Sequence, residues 1–447
     1  MKRLPSLLAA ALVTLTACAT AAPPPAESTA DTTVTTTASS ATTITTARAD
    51  DTTATAGSID STTAALATIT TATTTAGTGT TTKSSVTTTT TRQPTTTVNA
   101  EKAWYQALVD SENAWLATCQ LSNGAIAMTP IRSGKVKVNP YFADFAALSL
   151  LNQADKYAAK VRKYMDWHFA HLNTAQADPY GVDGTIFDYM ISVTSGTVVL
   201  EEWLTAAPNY DSTDSYAATF LMVVAKYADK TGDTAYVVKN AAKIQRVVNV
   251  LFATMDNGLT RGRPNSDVKM LMDHCEVYAG LQAATALYRQ VLVPAGAATA
   301  AEATRLQTAA DNVAAHVESD LWAGSYYRND IRADGSSYYP FSWAQYYPSA
   351  VAQTFPVLHG LLDPASQRAK DLYNQFCHRY DWENLNHPDD YVWGSNAYTA
   401  ARMGDYTSVK TFLTAYQAMV TTSRGYPLYN ADAAWACMTA YYMCEIV

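Results

Sequence analysis

The sequence predicts an all-α fold in which six helical hairpins close into an (α/α)6 toroid, with small β-hairpins in the loops on one face. Long segments after residue 100 space their apolar residues at i, i+3, i+4 and i+7, as amphipathic helices do, and few segments alternate as strands do. A second set of shorter segments is apolar nearly all round, which is typical of buried helices. Six short stretches of similar composition precede this second set, so we predict six hairpins.

The amphipathic set is predicted to form the outer ring, because each of its members has one charged face that water can solvate. We predict outer helices over residues 103–120, 155–169, 234–252, 300–317, 366–376 and 406–420.

The stretches that precede the inner helices, which we call the approach segments, combine an aromatic residue with a small polar or acidic residue. They are residues 141–144, 210–214, 272–276, 347–349, 393–396 and 429–432. In a toroid the N-terminal ends of all inner helices meet at one face. We therefore expect the approach segments to line a single cleft.

Ring closure is predicted from the ends of the repeat. The helix over residues 103–120 has no inner partner before it, so we expect it to pack outside the last inner helix, which begins at Asp432. The alternative is an open α-solenoid. The unequal spacing between approach segments, about 36 to 76 residues, argues against a regular solenoid.

The N terminus has the pattern of an export signal. Residues 1–17 combine a positively charged start with an apolar run that is too short to span a bilayer of about 30 Å. The sequence LTAC at residues 15–18 resembles the bacterial lipobox, and this resemblance implies that Cys18 is lipidated and becomes the mature N terminus. Ala19 follows, which by resemblance to Gram-negative sorting favours the outer membrane. The alternative is an ordinary signal peptide with a chance cysteine.

Residues 18–100 are predicted to be a disordered linker. Threonine fills 32 of the 70 positions from 31 to 100, and large apolar side chains are almost absent. Such a segment cannot bury enough apolar surface to offset its conformational entropy. Residues 101–447 remain as one large helical domain, which the lipid anchor and linker would hold at the bacterial cell envelope, with the cell surface as one such location.

Composition and missing motifs exclude several classes of function. The net charge of −8 argues against nucleic-acid binding, which needs clustered Lys and Arg. His168 and His171 lack the companions of a metal site, so we expect no metal, and no motif implies a cofactor. We interpret the cysteines of the folded part as buried small hydrophobes, and they are Cys119, Cys275, Cys377, Cys437 and Cys444. Export would permit one long-range disulfide among them, which the sequence does not identify.

The approach segments, with residues 115–126 and 210–217, resemble the six-hairpin glycosidase superfamily, and the resemblance covers residues 101–447. It implies a carbohydrate site more firmly than it implies hydrolysis, because the superfamily also includes phosphorylases, epimerases and polysaccharide lyases. Its hydrolases mostly invert the anomeric centre, so we expect inversion in this protein.

The approach segments contain more carboxylates than helix capping requires. Glycosidic hydrolysis needs two of them, one protonated acid and one base or nucleophile. A single Asp at such a place is readily explained as an N-cap, but two segments carry a pair each. We predict the acid from Asp273 or Glu276 and the base from Asp211 or Asp214. A capping box is the alternative explanation for Asp273 and Glu276.

Substrate binding is predicted mainly from aromatic residues, since sugar rings stack on them, although packing is the alternative for any one aromatic. Asp188, a reserve catalytic candidate, lies in an alternating segment that suggests a hairpin over the cleft. The predicted binding residues are Tyr141, Asp144, Asp188, Tyr189, Tyr210, Trp343, Tyr347, Trp393, Asn396 and Asp432.

Hydrolysis by a membrane-tethered, monomeric glycosidase is the leading prediction. A second is a polysaccharide lyase, with Tyr346 or His274 as the base beside Arg261 on an acidic polymer. A third is a glycan-binding lipoprotein without catalysis. Residues 261–263 would serve an acidic sugar or form a solvated turn.

Overall fold

The computed structural model describes residues 95–203, 211–425 and 427–447. The predicted signal peptide, Cys18, most of the predicted linker and Tyr210 lie outside the described residues. Of the predicted linker, the last residues belong to the first helix, which begins at Thr95.

Most of the described chain is helical. The helices are α1 (Thr95–Thr118), α2 (Pro140–Leu150), α3 (Ala154–Ala170), α4 (Thr213–Thr231), α5 (Thr234–Lys239), α6 (Ala241–Thr254), α7 (Leu271–Leu287), α8 (Ala300–His316), α9 (Phe355–Leu358), α10 (Gln367–Arg379), α11 (Ser395–Met403), α12 (Tyr406–Thr422) and α13 (Asn430–Ile446). A π-helical turn, Tyr346–Ala350, leads into α9.

Six inner helices form a closed ring. Helix α2 packs against α4, α4 against α7, α7 against α9, α9 against α11, α11 against α13, and α13 returns to α2. The first helix, α1, packs on the last inner helix, α13, as predicted. The closed (α/α)6 toroid is therefore confirmed, and the open solenoid is wrong.

The predicted outer helices are α1, α3, α6, α8, α10 and α12, and most of their boundaries lie close to those predicted, although α1 begins at Thr95 rather than at residue 103. A further exception is the predicted helix over residues 234–252, which is divided into α5 and α6 at Asn240. Asn240 is the C-cap of α5 and the N-cap of α6, and its backbone (φ −100°, ψ 9°) is not helical. Asparagine competes for local backbone hydrogen bonds, which favours such a break.

Short strands lie in the loops between hairpins, as predicted. Strands β1 (Gly134–Val138), β2 (Tyr189–Thr194) and β3 (Thr197–Trp203) form an antiparallel sheet. Strands β4 (Met255–Asp256) and β5 (Leu259–Thr260) form a hairpin, and β6 (Lys269–Met270) pairs with β7 (Asp330–Ile331). The sheet of β1 to β3 places residues beside the N-terminal ends of α2 and α4.

Two inner helices approach each other especially closely at Gly280. A Cβ atom on Gly280 of α7 would lie 2.6 Å from the Cα atom of Ala218 in α4 and 2.7 Å from its carbonyl oxygen. Both contacts are with backbone, which cannot move aside as the end of a side chain can. Glycine at position 280 therefore allows the closest crossing of α4 and α7.

We expect Gly280→Ala to lower the free energy of unfolding by about 1 to 3 kcal/mol, because overpacking a close helix crossing forces the backbones apart. The better helix propensity of alanine, about 1 kcal/mol, is included in that net range. The midpoint of urea unfolding measures the effect. Gly425→Ala is the control, because its nearest atom lies 3.6 Å away, and equal midpoints in the two variants would contradict the prediction.

A buried ion pair joins the two ends of the ring. Glu112 of α1 is 1% exposed and accepts hydrogen bonds from both terminal nitrogens of Arg424, at 2.8 and 2.6 Å. Arg424 lies between α12 and α13. The hydroxyl of Tyr416 in α12 donates a third bond to Glu112 at 2.7 Å. The chain is thus fastened to itself across about 300 residues of sequence.

Two further findings concern the described residues. Among them, no helix has both the length and the apolar character that a membrane crossing requires. The five cysteines there are unpaired, and all but Cys377 are buried. The long-range disulfide that the sequence left open does not form between them.

Candidate active site

The first turns of the inner helices meet at one face of the ring. Tyr141 begins α2 and Glu276 lies in the first turns of α7, two helices further round, yet the Tyr141 hydroxyl donates a hydrogen bond to Oε1 of Glu276. Side chains from approach segments far apart in sequence are therefore neighbours, as the toroid requires. The cleft wall divides into a carboxyl side on α4 and α7 and an aromatic side on α9, α11, α13 and α2.

On the carboxyl side, α7 presents Asp273 and Glu276. Asp273 is partly exposed, whereas Glu276 is 2% exposed. Burial raises the pKa of Glu276 to about 8, although the hydrogen bond from Tyr141 partly offsets this. Burial, followed by the negative charges of Asp214 and Glu276, raises the pKa of Asp273 well above its ordinary value. Glu276 therefore holds its proton at neutral pH, and Asp273 keeps its own to a higher pH than an ordinary aspartate does.

Helix α4 contributes the second pair. Asp214 is fully buried, its Oδ1 atom accepts the backbone N–H of Ser215 at 3.0 Å, and burial raises its pKa to about 6. The side chain of Asp211 is 34% exposed. Burial raises the pKa of Asp211 to about 6 as well, while Arg263, whose Nη2 lies 3.8 Å from Oδ1, works in the opposite direction. In each pair, one carboxyl reaches the cleft and its neighbour lies behind it.

Ser212 links the two exposed carboxyls. It occupies the N-cap position of α4, but its hydroxyl does not cap the helix and instead donates to Oδ2 of Asp273 at 3.0 Å. Because Ser212 directly follows Asp211, this bond holds the start of α4 against the start of α7. Asp211 and Asp273 therefore face the same part of the cleft.

Asp188 lies at the start of β2 and is held by three groups. The Asn139 amide donates at 3.1 Å, the Tyr216 hydroxyl at 3.0 Å, and Nζ of Lys137 lies 2.8 Å away. With 7% exposure and Lys137 beside it, Asp188 is suited to orienting neighbouring groups. The predicted hairpin near Asp188 is the pairing of β2 with β3.

The aromatic side is a continuous arc of partly exposed rings. Successive ring centroids lie 5.1 to 6.3 Å apart along the arc, and each neighbouring pair is in contact range. The arc consists of Tyr347, Trp393, Tyr391, Tyr429, Phe142 and Tyr141. An apolar face of a sugar ring fits such a surface, with the carboxyls of α4 and α7 opposite.

Two predicted binding residues are not in the cleft wall. Asp144 is fully buried, and its oxygens accept hydrogen bonds from the hydroxyls of Tyr164 and Thr219, each at 2.8 Å. The reason is the true start of α2, since Asn139 is its N-cap and places Asp144 a full turn inside the helix. Asn396 is 1% exposed and donates to the Tyr346 hydroxyl at 2.9 Å.

Three others occupy the margin of the site. Tyr189 is 9% exposed and packs edge-on against Trp167. Asp432 is 7% exposed, and as the third residue of α13 it accepts the backbone N–H of the N-cap residue Tyr429 at 3.2 Å, as in a capping box. Trp343 is partly exposed, and the guanidinium of Arg379 lies 5.1 Å from its ring centre.

The residues proposed for a lyase are poorly placed for it. Tyr346 is 3% exposed and stacks on His387. His274 is fully buried, its Nε2 donates to the Thr260 carbonyl at 3.0 Å, and burial lowers its pKa to about 4. Both side chains are buried, so the lyase hypothesis loses its candidate bases.

Sequence reasoning missed several members of the site. Asn139 followed by proline is a recognisable helix start that would have located the beginning of α2. No local sequence pattern indicates the roles of Lys137 and Tyr216. His359, whose Nε2 lies 3.9 Å from Oε1 of Glu276, lies at the end of α9, the inner helix next to α7, and burial lowers its pKa to about 3.

Asp144 should make stability depend on pH. Burial raises its pKa well above the ordinary value, so the folded state keeps a proton that the unfolded chain releases above about pH 4. Unfolding free energy should therefore fall as pH rises from about 4 toward the folded-state pKa. Asp144→Asn should flatten this fall, because the amide fits the same partners and does not titrate.

Urea unfolding of both proteins across pH 4 to 8 measures the difference. Asp363→Asn is the control, because Asp363 lies in a surface turn before α10. Parallel pH curves for wild type and Asp144→Asn would contradict the prediction.

Solved structures of glycosidases are similar to this chain. A wild-type glycosidase superposes with a TM-score of 0.53 at 15% sequence identity, and the match covers 77% of this chain and 97% of that one. A glycosidase variant in complex with glucose gives a TM-score of 0.55 at 14% identity, covering 77% and 98% of the two chains. No protein-family model and no curated protein matches the chain. At these identities the likeness shows the helical toroid fold alone.

Proposed function

We propose that the protein is a glycoside hydrolase that cleaves an oligosaccharide or polysaccharide in the cleft between the carboxyl side and the aromatic arc. The observation that carries the proposal is the pairing of two partly exposed carboxyls, Asp211 and Asp273, with different proton affinities at the N-terminal ends of α4 and α7. The aromatic arc and the likeness in fold to glycosidases, one of which holds glucose, support it.

Exposure divides the four predicted catalytic carboxyls into two roles. A group that transfers a proton must touch the substrate, and only Asp211 and Asp273 are accessible. Asp273, whose pKa is raised well above the ordinary value by burial, is the general acid that protonates the leaving oxygen. Asp211, with a pKa of about 6, is mostly ionised and is the base that activates water. Glu276 and Asp214 are buried behind them and raise the pKa of Asp273 through their negative charges when ionised.

The finer assignments rest on the sequence. Inversion at the anomeric centre follows from the resemblance to the six-hairpin glycosidases, and proton NMR of the first-formed sugar anomer tests it. Export, lipidation at Cys18 and attachment to the cell envelope follow from the N-terminal pattern. Metabolic labelling with a fatty acid, compared between wild type and Cys18→Ser, tests these. We propose a monomer, which light scattering tests.

The direct test is incubation of residues 95–447 with a panel of neutral and acidic glycans. New reducing ends without ultraviolet absorbance support hydrolysis. Absorbance at the wavelength of unsaturated sugars would instead indicate a lyase. Glycan binding without any cleavage would replace the hydrolase with the binding-protein alternative.

The rate should depend on pH through a bell-shaped curve. We expect kcat/KM to rise through about pH 6, as Asp211 loses its proton, and to fall at higher pH as Asp273 loses its own. Glu276, with a pKa of about 8, becomes negative over the pH range of the basic limb and raises the pKa of Asp273 there. Glu276→Gln removes this charge, so the basic limb should move to lower pH. Glu445→Gln, at the exposed end of α13, is the control. An unmoved basic limb in Glu276→Gln would contradict the assignment of Asp273.

A further inference from the structure

The loop formed by Arg261, Gly262 and Arg263 lies between the two proposed catalytic carboxyls. Its Gly262 carbonyl accepts the Thr213 N–H at 2.7 Å, which satisfies a free backbone donor at the start of α4. The loop is itself anchored, because the Arg261 N–H donates to the Thr254 carbonyl at 3.0 Å. A short segment between β5 and β6 thus acts as a fixed spacer at the point where α4 and α7 begin.

The Arg263 side chain lies close to both the backbone carbonyl and the carboxylate of Asp211. The Nε atom donates to the Asp211 carbonyl at 3.1 Å, and Nη2 lies 3.8 Å from the carboxylate. The Arg263 side chain is only 19% exposed, so water screens its charge weakly. The first contact fixes the backbone at Asp211, and the second places a positive charge beside its carboxylate.

Gly262 approaches the other carboxyl. A Cβ atom at position 262 would lie 3.0 Å from Oδ2 of Asp273 and 3.8 Å from the Ser212 hydroxyl. That carboxylate oxygen is the one that accepts the Ser212 bond. A larger residue at position 262 would therefore push directly on the proposed proton donor.

We propose that Arg263 is a positioning residue that orients the Asp211 carboxylate, and that Gly262 sets the separation between Asp211 and Asp273. This inference rests on the proposed hydrolase and adds the element that spaces its acid and base. The contacts that carry this inference join the loop to the two carboxyls and to the start of α4.

The charged and titratable groups around Asp211 come from several elements. Arg263 comes from the spacer loop, Asp188 from the start of β2, Lys137 from β1 and Tyr216 from α4. Asp273 faces it from α7. Lys137 is engaged with Asp188 at 2.8 Å, so Arg263 is the cation that acts mainly on Asp211. Loss of the Arg263 charge should raise the pKa of Asp211.

The first experiment measures Asp211 itself in the folded protein without substrate. Carboxyl ¹³C NMR follows its titration, with the signal assigned by its disappearance in Asp211→Asn. We expect Arg263→Met to move the midpoint upward by about one pH unit, since a nearby opposite charge shifts a carboxyl by about that much or more. Arg263→Lys should restore most of the shift. An unchanged midpoint in folded Arg263→Met overturns the inference.

The second experiment uses activity and separates positioning from folding. In Arg263→Met, the acidic limb of kcat/KM should move by the amount seen in the NMR titration, while the basic limb stays in place. Gly262→Ala should lower kcat about tenfold or more with little change in KM, and Gly425→Ala should not. An unmoved acidic limb or a wild-type kcat in Gly262→Ala would overturn the respective half of the inference. If no glycan is cleaved at all, the proposed function fails, while the NMR result still decides whether Arg263 controls Asp211.

Discussion

Replacing Asp273 by asparagine should lower kcat by about three orders of magnitude, because general acid catalysis by one positioned side chain contributes about 10² to 10⁴ in rate. The amide keeps the size of the carboxyl and can still accept the Ser212 hydroxyl bond, but it has no proton to give to a leaving oxygen. The fold should be unaffected, since asparagine removes a carboxyl whose burial is unfavourable when charged. Initial rates on the best glycan of the panel measure the loss.

Asp267→Asn is the matched control for Asp273→Asn. Asp267 lies in the same connection before α7, but its carboxylate pairs with Arg332 at 3.0 Å on the surface. We expect kcat of Asp267→Asn to stay within about twofold of wild type, because surface substitutions away from a site usually have small effects. A substrate with an activated leaving group, which needs little protonation, should recover much of the rate in Asp273→Asn. Full activity of Asp273→Asn on the natural linkage would remove Asp273 from the proposed mechanism.

Arg424→Met should destabilise the fold more than Gly280→Ala does, by about 3 to 5 kcal/mol. The change leaves Glu112 buried with its charge uncompensated, which is the costly way to break a buried ion pair. It also removes the guanidinium from its position 5.2 Å above the Trp115 ring. The urea midpoint measures the loss, and the double variant Glu112→Gln/Arg424→Met should recover part of it.

Lys410→Met provides the comparison for Arg424→Met. Lys410 of α12 pairs with Glu101 of α1 at 2.9 Å, so this pair also links α1 to the last part of the chain, but its side chains are 56% and 34% exposed. Exposed pairs contribute about 0 to 1 kcal/mol, so this change should have little effect. If the two variants lost equal stability, burial of Glu112 would not be the reason for the importance of Arg424.

The fold was predictable because the sequence contains two kinds of helical segment, one with a single charged face and one that is apolar nearly all round. Outer helices such as α3 and α8 have one charged face, whereas α13 is apolar on all sides and has to be surrounded by other helices. These patterns do not depend on tertiary detail. The break at Asn240 was missed because asparagine is tolerated in helices and only its neighbours decide whether the helix continues.

The candidate site was predictable to the level of the segment but not of the side chain. Doubled acids marked the starts of α4 and α7, yet which acid of each pair faces the cleft depends on the rotation of the helix about its axis. A shift of one turn in the start of α2 was enough to bury Asp144. The contact between Glu276 and His359 joins residues 83 positions apart, and no local pattern indicates it.

The fastening of α1 to the last hairpin has a consequence for folding kinetics. Tyr416 reaches Glu112 over 304 residues, and the Cys437 thiol reaches the Val109 carbonyl over 328. Contacts of such high sequence separation slow folding, because a long stretch of chain must be organised before they can form. During synthesis, α1 leaves the ribosome long before α13 exists to cover it. The contacts between α1 and α13 can therefore form only after nearly the whole of the folded part has been synthesised.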